Sequence, residues 1–236
     1  EDLLSGKHAL VTGASGGLGR EISYIFGEAG IPTFLTGRSE EKLSVSCREF
    51  ERNKWPLLGS MTCDLATDAD WLIREVHRRN LDIDILINCA GMFLNKSIEE
   101  TAIEEFDLLH NVNVRAAYIL TKEFGPKMAK NGWGRIVNVG STSSVHGFAN
   151  SVAYCASKHG LLGLNRAINA EFKDRGVQAI CICPGTIDTD MGSKVSGVEP
   201  SDMIDSKGLS DFILRLLEVQ GGFAIPEVIL PRSNLQ

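Results

Sequence analysis

Short apolar runs alternate along the chain with stretches in which apolar residues recur every three or four positions. That alternation predicts a regular succession of strands and helices. Residues 7–12 read as a first strand, after which Leu18, Ile22, Phe26 and Ala29 keep helical spacing until Gly30 and Pro32 end the helix. Residues 31–36 form the next strand, followed by a polar helix over 39–52. A third strand over 57–63 and a third helix over 68–79 come next, and residues 83–88 form a fourth strand of the kind buried on both faces. Helical spacing then extends over 101–130, with Ile103, Phe106, Leu109, Val112, Ala116, Leu120 and Phe124 on one side. Pro126 is expected to bend or break its end. A fifth strand over 135–139 leads through a Ser-rich loop into a helix over 151–174 and a sixth strand over 177–183. A helix over 203–219 and a short strand over 223–230 close the chain. Repeated units of this kind build a parallel sheet with helices on both faces. With no linker or repeat to divide them, residues 1–236 are expected to form one doubly wound, three-layer α/β domain.

In such a fold, ligands bind beyond the carboxyl ends of the strands. The first of those ends carries Gly13, Gly17 and Gly19 in the spacing G-x-x-x-G-x-G, directly ahead of a helix. A turn of this kind aims backbone N–H groups and the positive end of the helix dipole at one point. A diphosphate can settle there only where no Cβ blocks its approach. Later strand ends carry Gly37-Arg38-Ser39, Asp64-Leu65, Asn88-Cys89-Ala90-Gly91 and Pro184-Gly185-Thr186-Ile187-Asp188-Thr189. The Ser-rich loop precedes Tyr154 and Lys158, which lie four residues apart and share a helix face. A phenol is a poor acid–base group at neutral pH, and an adjacent ammonium favours its charged form. A change of about three pH units in that balance takes roughly 4 kcal/mol, within reach of a lysine and a cationic nicotinamide ring together.

Composition narrows the alternatives. Hydrophobic residues make up 43% and charged residues 23%, as in ordinary globular proteins. The net charge of −6 argues against a nucleic-acid or anionic-membrane surface, so an anionic cofactor must be held by local positive groups. No apolar run is long enough to span a bilayer, and no secretory leader is visible, although one trimmed before Glu1 would leave the same start. The six cysteines form no C-x-x-C pair and no cluster with histidine, so no metal site is expected. Cys181 and Cys183 should share one strand face as buried reduced thiols, and the expected compartment is the cytosol.

Taken in order, the Gly-rich turn, N-x-A-G, the Ser loop, Y-x-x-x-K and P-G-x-I-x-T resemble the short-chain dehydrogenase/reductase family over residues 7–230. The pattern is most similar to its NADP-dependent members of the 3-oxoacyl-carrier-protein reductase type. The resemblance implies a Rossmann-type sandwich around a seven-stranded parallel sheet, and hydride transfer between a nicotinamide and a carbonyl or alcohol. Tyr154 would be the acid–base group, and Lys158 would favour its charged form and hold the ribose hydroxyls. Ser141 would donate a hydrogen bond to the substrate oxygen, with Ser143 and Ser144 as rivals. Asn113 matches the asparagine that bends the long helix and anchors a proton-relay water, with Asn111 as the nearer misassignment. His146 and His159 are bystanders. The cofactor would lie on Gly13, Ser15, Gly16, Gly17, Leu18 and Gly19, then on Asp64, Leu65, Asn88, Ala90 and Gly91. Tyr154, Lys158, Pro184, Gly185, Ile187 and Thr189 would complete its site.

The same resemblance bears on which nicotinamide is used. Enzymes that take NAD place a carboxylate after the second strand, whereas a basic group there accommodates the 2′-phosphate of NADP. Here Arg38 and Ser39 occupy those positions, which favours NADPH over NADH. One departure tempers the preference: many NADP-dependent members carry a second basic residue where this chain has Gly16. Catalytically idle NADP-binding regulators share the fold but usually lose the tyrosine or lysine that this chain keeps. Nucleotide-sugar epimerases are longer and space their glycines differently. Substrates left open include a 3-oxoacyl thioester, a steroid, a sugar and a xenobiotic ketone. Relatives commonly place some two dozen residues of substrate-covering chain after P-G-x-I-x-T, whereas here residues 191–199 are short, polar and expected to be mobile. An open mouth suited to a bulky or carrier-tethered carbonyl is expected. Leu161, Leu162, Leu164 and Ile168 exceed one apolar stripe, and the family pairs the two long helices across a two-fold axis, so a homodimer or homotetramer is expected.

Overall fold

The computed structural model describes residues 3–195, 197–219 and 224–232. Its centre is seven strands: β1 (Ala9–Thr12), β2 (Thr33–Gly37), β3 (Leu57–Thr62), β4 (Ile85–Asn88), β5 (Gly134–Val139), β6 (Val177–Pro184) and β7 (Glu227–Leu230). They lie in the order β3-β2-β1-β4-β5-β6-β7, and every neighbouring pair is parallel. The chain winds one way from β1 to β3 and the other way from β4 onward. Beside β1 this reversal opens the crevice in which doubly wound sheets take their ligands.

Leu10 and Val11 are both fully buried although adjacent strand residues face opposite ways, so helices must cover both faces. On one face Val11, Leu35 and Ile87 meet Ile22 and Phe26 of α1 (Gly17–Glu28), Leu43 of α2 (Glu40–Asn53) and Ile213 of α7 (Ser206–Leu217). On the other, Leu10, Phe34 and Leu86 meet Leu72 of α3 (Ala69–Arg78), Leu120 and Phe124 of α5 (Ala116–Lys130), and Ile168 of α6 (Val152–Phe172).

Several boundaries differ from the apolar pattern for local reasons. β1 starts at Ala9 and β4 at Ile85, because Asp84 takes the His8 N–H at 3.1 Å and lies 3.9 Å from the Lys7 ammonium. The expected helix over 101–130 divides into α4 (Ile103–His110), a π-helical turn at Asn111–Arg115, and α5. An extra residue in one turn rotates the helix on its N-terminal side by about 100° relative to the helix on its C-terminal side. Within α4, Leu109 stays buried with Val112, Ala116, Leu120 and Phe124, whereas Ile103, at 71% exposure, and Phe106 point away from them. Pro126 does not end α5, which continues to Lys130 with Phe124, Met128 and Ala129 buried around it. α7 begins at Ser206 rather than 203, capped by Asp205, whose carboxylate accepts the Gly208 N–H at 2.7 Å. Ile204, expected in that helix, instead bridges Ile187. Leu161, Leu162 and Ile168 are buried within this chain, so they form no second outward stripe. Phe223 of the last strand lies outside the described residues. No described helix is long and apolar enough to cross a membrane.

Candidate active site

The turn after β1 approaches the turn after β4 closely. Gly13 takes a φ of 73°, and a Cβ there would stand 3.0 Å from the Ala90 nitrogen. A Cβ on Gly19 would strike the Gly13 carbonyl. Thr12 locks the two turns together: its hydroxyl donates to the Ile87 carbonyl at 3.1 Å and accepts the N–H groups of Cys89 and Ala90 at 3.0 Å each. The N-terminus of α1 carries neither a side-chain cap nor an acidic residue in its first turn, leaving its N–H groups for an anion. Leu18 is buried beneath it, and Thr189 closes the far side, its methyl 3.4 Å from where a Gly17 Cβ would lie.

The other strand ends converge on this point. Ser15 packs against Gly37, where a Cβ would come within 2.5 Å of the Ser15 hydroxyl. Arg38 is exposed and makes no ion pair among the described residues, whereas Ser39 caps α2 by accepting the Lys42 N–H at 3.3 Å. Asp64 accepts the Ala66 N–H at 2.9 Å, and Leu65 is buried in the wall shared with Thr12, Asn88 and Ala90. Pro184 ends β6, the Gly185 N–H bonds the Leu230 carbonyl at 2.8 Å, and Thr189 accepts the Gly192 N–H at 3.1 Å. Gly13 and Gly19 thus let the two turns and the start of α1 pack against one another, which leaves the uncapped α1 N-terminus, bordered by open space at Gly16, where a dinucleotide's diphosphate fits, with the exposed Arg38 at the end of β2.

Tyr154 and Lys158, one turn apart on α6, are nearly buried at 8% and 5% exposure. The Lys158 ammonium donates to the Val139 carbonyl at 2.8 Å and stands 5.7 Å from the centre of the Tyr154 ring. That bond ties α6 to the end of β5, two residues before Ser141. Edge-on at 4.9 Å, Phe93 covers the Tyr154 ring, whose hydroxyl has no hydrogen-bond partner among the described residues. Asn113 sits in the π-helical turn with every side-chain polar atom engaged. Its oxygen accepts the Met92 N–H at 2.8 Å, and its nitrogen donates to the Met92 carbonyl and the Ser157 hydroxyl, both at 3.0 Å. Ser157 in turn donates to the Tyr154 carbonyl at 2.8 Å. Gly91 lies between the two groups: a Cβ there would be 3.4 Å from the Asn113 oxygen and 3.7 Å from the Lys158 ammonium. Asn113, Tyr154 and Lys158 thus form one connected assembly.

Of the three serines, only Ser141 is partly exposed; Ser143 and Ser144 are buried. Ser144 accepts the Ser141 N–H at 3.1 Å, and Ser141 accepts the Ser143 N–H at 3.1 Å, which leaves the Ser141 hydroxyl hydrogen free. Behind this loop the sulfurs of Cys181 and Cys183 lie 3.7 Å apart, and a Cβ on Gly140 would stand 3.0 Å from each. Hydrogen bonds from Cys181 and Ser144 hold the Cys183 thiol below its usual range, while Cys181 is pushed up. Cys47 and Cys89 are only half-buried. His146 and His159 are exposed, the latter bonded to the Cys155 carbonyl at 2.9 Å.

Two supporting residues, Asn138 and Asn165, escape the motifs. Asn88 donates to Asn138 at 2.8 Å, Asn138 to Asn165 at 2.9 Å, and Asn165 to the Pro226 carbonyl at 2.7 Å. This ladder crosses from β4 through β5 to α6 and the approach to β7, fixing the floor under the N-x-A-G turn. Its signal is a lone asparagine inside each of two apolar stretches, Ile-Val-Asn-Val and Leu-Asn-Arg-Ala-Ile.

Known proteins resemble this chain over most of its length. The family model described as short chain dehydrogenase matches residues 7–199. The 3-oxoacyl-[acyl-carrier-protein] reductase FabG of Rickettsia conorii is 32% identical over 193 residues, 82% of this chain and 78% of the relative. Dehydrogenase/reductase SDR family member 6 of Xenopus laevis is also 32% identical, over 90% of this chain and 82% of its own. Among solved structures, a metagenomic short-chain oxidoreductase in complex with NADP superposes with a TM-score of 0.81 at 29% identity, covering 98% of both chains.

Proposed function

Since the chain belongs to the short-chain dehydrogenase/reductase family of oxidoreductases, we propose that it is an NADPH-dependent reductase of a bulky carbonyl, of which a 3-oxoacyl thioester is the leading candidate. The observation that carries this reading is the joining of Tyr154, Lys158 and Asn113 beside a serine whose hydroxyl hydrogen is uncommitted. When bound, the reduced nicotinamide supplies the hydride that adds to the carbonyl carbon. Tyr154 passes its hydroxyl proton to the carbonyl oxygen, and the Ser141 hydroxyl donates a hydrogen bond to the same oxygen as charge develops there. Lys158, with one donor spent on Val139, keeps two for the ribose hydroxyls and places its positive charge beside the phenol. Asn113 is a positioning residue that fixes the Met92 backbone and, through Ser157, the start of α6. A steroid, a sugar or a xenobiotic ketone is the second reading for the substrate. An idle NADP-binding regulator is the reading from another class, disfavoured by the complete acid–base set.

The chain after Thr189 supports a large substrate. Residues 192–194 form one short helical turn, held by the Ser193 N–H on the Thr189 carbonyl at 3.0 Å, and a second turn comes at Pro200–Asp202. A segment of two short turns is expected to leave the Tyr154 side open. A 3-oxoacyl thioester is therefore expected to show a kcat/KM at least about tenfold above that of a small free ketone such as acetone. Steady-state comparison of the two checks this, and a low-micromolar KM for the small ketone would overturn the open-site argument.

The proposed partner is a second copy of the chain, in a homodimer or homotetramer. Ile103, Phe106, Leu108 and Tyr118 are exposed on α4 and α5, and Gly160 and Gly163 are exposed on α6, so apolar side chains stand near a face that permits close helix approach. Sedimentation at micromolar concentration should show a species of at least twice 25.7 kDa, whereas a monomer alone would refute it.

A further inference from the structure

Gly16 leaves the preference for NADP incomplete, and the structure points to a side chain elsewhere that completes it. Gly16 faces open space, with no heavy atom within 4 Å of where its Cβ would lie. It borders a cavity of about 300 Å3, lined also by Ser15, Gly17, Lys42, Thr189 and Asp190. Arg20 also lines this cavity but lies 3.8 Å from Glu21, and α2 adds a second positive charge: the Lys42 ammonium, 3.1 Å from the Asp190 carboxylate. Lys42 belongs to the first turn of α2, where its own N–H is capped by Ser39, so Arg38, Ser39 and Lys42 converge at one helix end.

Resting on the NADP reading, we propose that Lys42 is the second cation for the phosphate on the adenosine ribose, held by Asp190 until that phosphate displaces it. Three observations carry the exchange. First, the pair is exposed, 59% on the lysine and 89% on the aspartate, and an ion pair so open to water contributes little, so breaking it is cheap. Second, a phosphate offers more charge and more acceptor oxygens than the carboxylate it would replace. Third, Glu40 and Glu41 occupy the same first turn of α2, so a second cation beside Arg38 offsets their charge towards an incoming dianion. Asp190 also feels Arg20 and Lys194, which keep its carboxylate charged and partly compensated after the lysine departs. Lys42 and Asp190 together would then set how strongly the chain prefers the phosphorylated dinucleotide.

The two residues should have opposite effects. In fluorescence titrations, Lys42→Ala is expected to weaken NADPH binding about five- to tenfold and leave NADH within twofold, while Lys42→Arg restores NADPH binding. Asp190→Asn removes the competitor and should tighten NADPH two- to fivefold, again with NADH unmoved. The probe 2′,5′-ADP, which carries the phosphate but no nicotinamide, should track NADPH in each variant. If Lys42→Ala changes nothing, or weakens both dinucleotides equally, the assignment of Lys42 is wrong. Weaker binding of both dinucleotides by Asp190→Asn would also overturn it, because the pair would then be a strap over the cofactor. If the unmodified protein binds NADH as tightly as NADPH, the NADP reading itself fails, a result distinct from any failure of the variants.

Discussion

Tyr154→Phe is expected to lower turnover by about two to four orders of magnitude while leaving NADPH affinity within a few-fold of the parent protein. The substitution keeps the ring, and with it the 4.9 Å edge contact to Phe93 and the position of Lys158 over the phenyl face. It removes only the hydroxyl, which no other described residue engages. The loss should therefore fall on kcat rather than on cofactor binding or folding. Thermal unfolding of the variant gives the control: an unchanged midpoint with lost turnover isolates proton transfer. Retention of more than about a tenth of the activity would show that another group delivers the proton.

Arg38→Asp is expected to reduce NADPH affinity at least about tenfold, about 1.4 kcal/mol, with NADH affinity unchanged or improved. Arg38 is exposed and without an ion-pair partner among the described residues, so replacing it breaks no internal bond. The effect reports charge at the mouth of the adenosine site: a cation that attracts the 2′-phosphate becomes an anion that repels it and can accept the 2′-hydroxyl. Ser39 is less informative, because its hydroxyl also caps α2 and its loss would mix binding with helix stability. Equal loss of both dinucleotides in Arg38→Asp would make the arginine structural.

How far the sequence reaches differs between elements. The inner parallel strands are short apolar runs because they are buried on both faces, and the half-buried edge strands β3 and β7 are likewise recognisable within a few residues. The candidate site is legible in two ways: glycines stand where backbones approach closely, and Tyr154 and Lys158, one helical turn apart, take their proposed roles from the resemblance to the family. Helical spacing misleads where the helix departs from 3.6 residues per turn. Counting from Ile103 through Phe106 to Leu120 assumes an unbroken register, and the π-helical turn at Asn111–Arg115 resets it between α4 and α5, while Ile103, the first residue of α4, lies in solvent. Pro126 is tolerated in α5 because the residues around it are buried, a tertiary effect outside any local rule. Leu161, Leu162 and Ile168 exceed one stripe because α6 packs against both the sheet and neighbouring helices, not because it faces outward. The asparagine ladder needs strands and a helix to be placed together, and no spacing within one segment announces it.

The proposed reaction moves hydride to a carbonyl, with Tyr154 supplying the accompanying proton. Its most direct test is to mix the purified protein with NADPH and a 3-oxoacyl thioester, monitoring reduced-nicotinamide absorbance and the hydroxy product together. Loss of one NADPH for each 3-hydroxyacyl product formed by the unmodified chain, and near-complete absence of both in Tyr154→Phe, is the predicted result. NADPH that binds but is not consumed with thioesters, steroids, sugars or simple ketones would contradict the claim and leave a nucleotide-binding protein without catalysis.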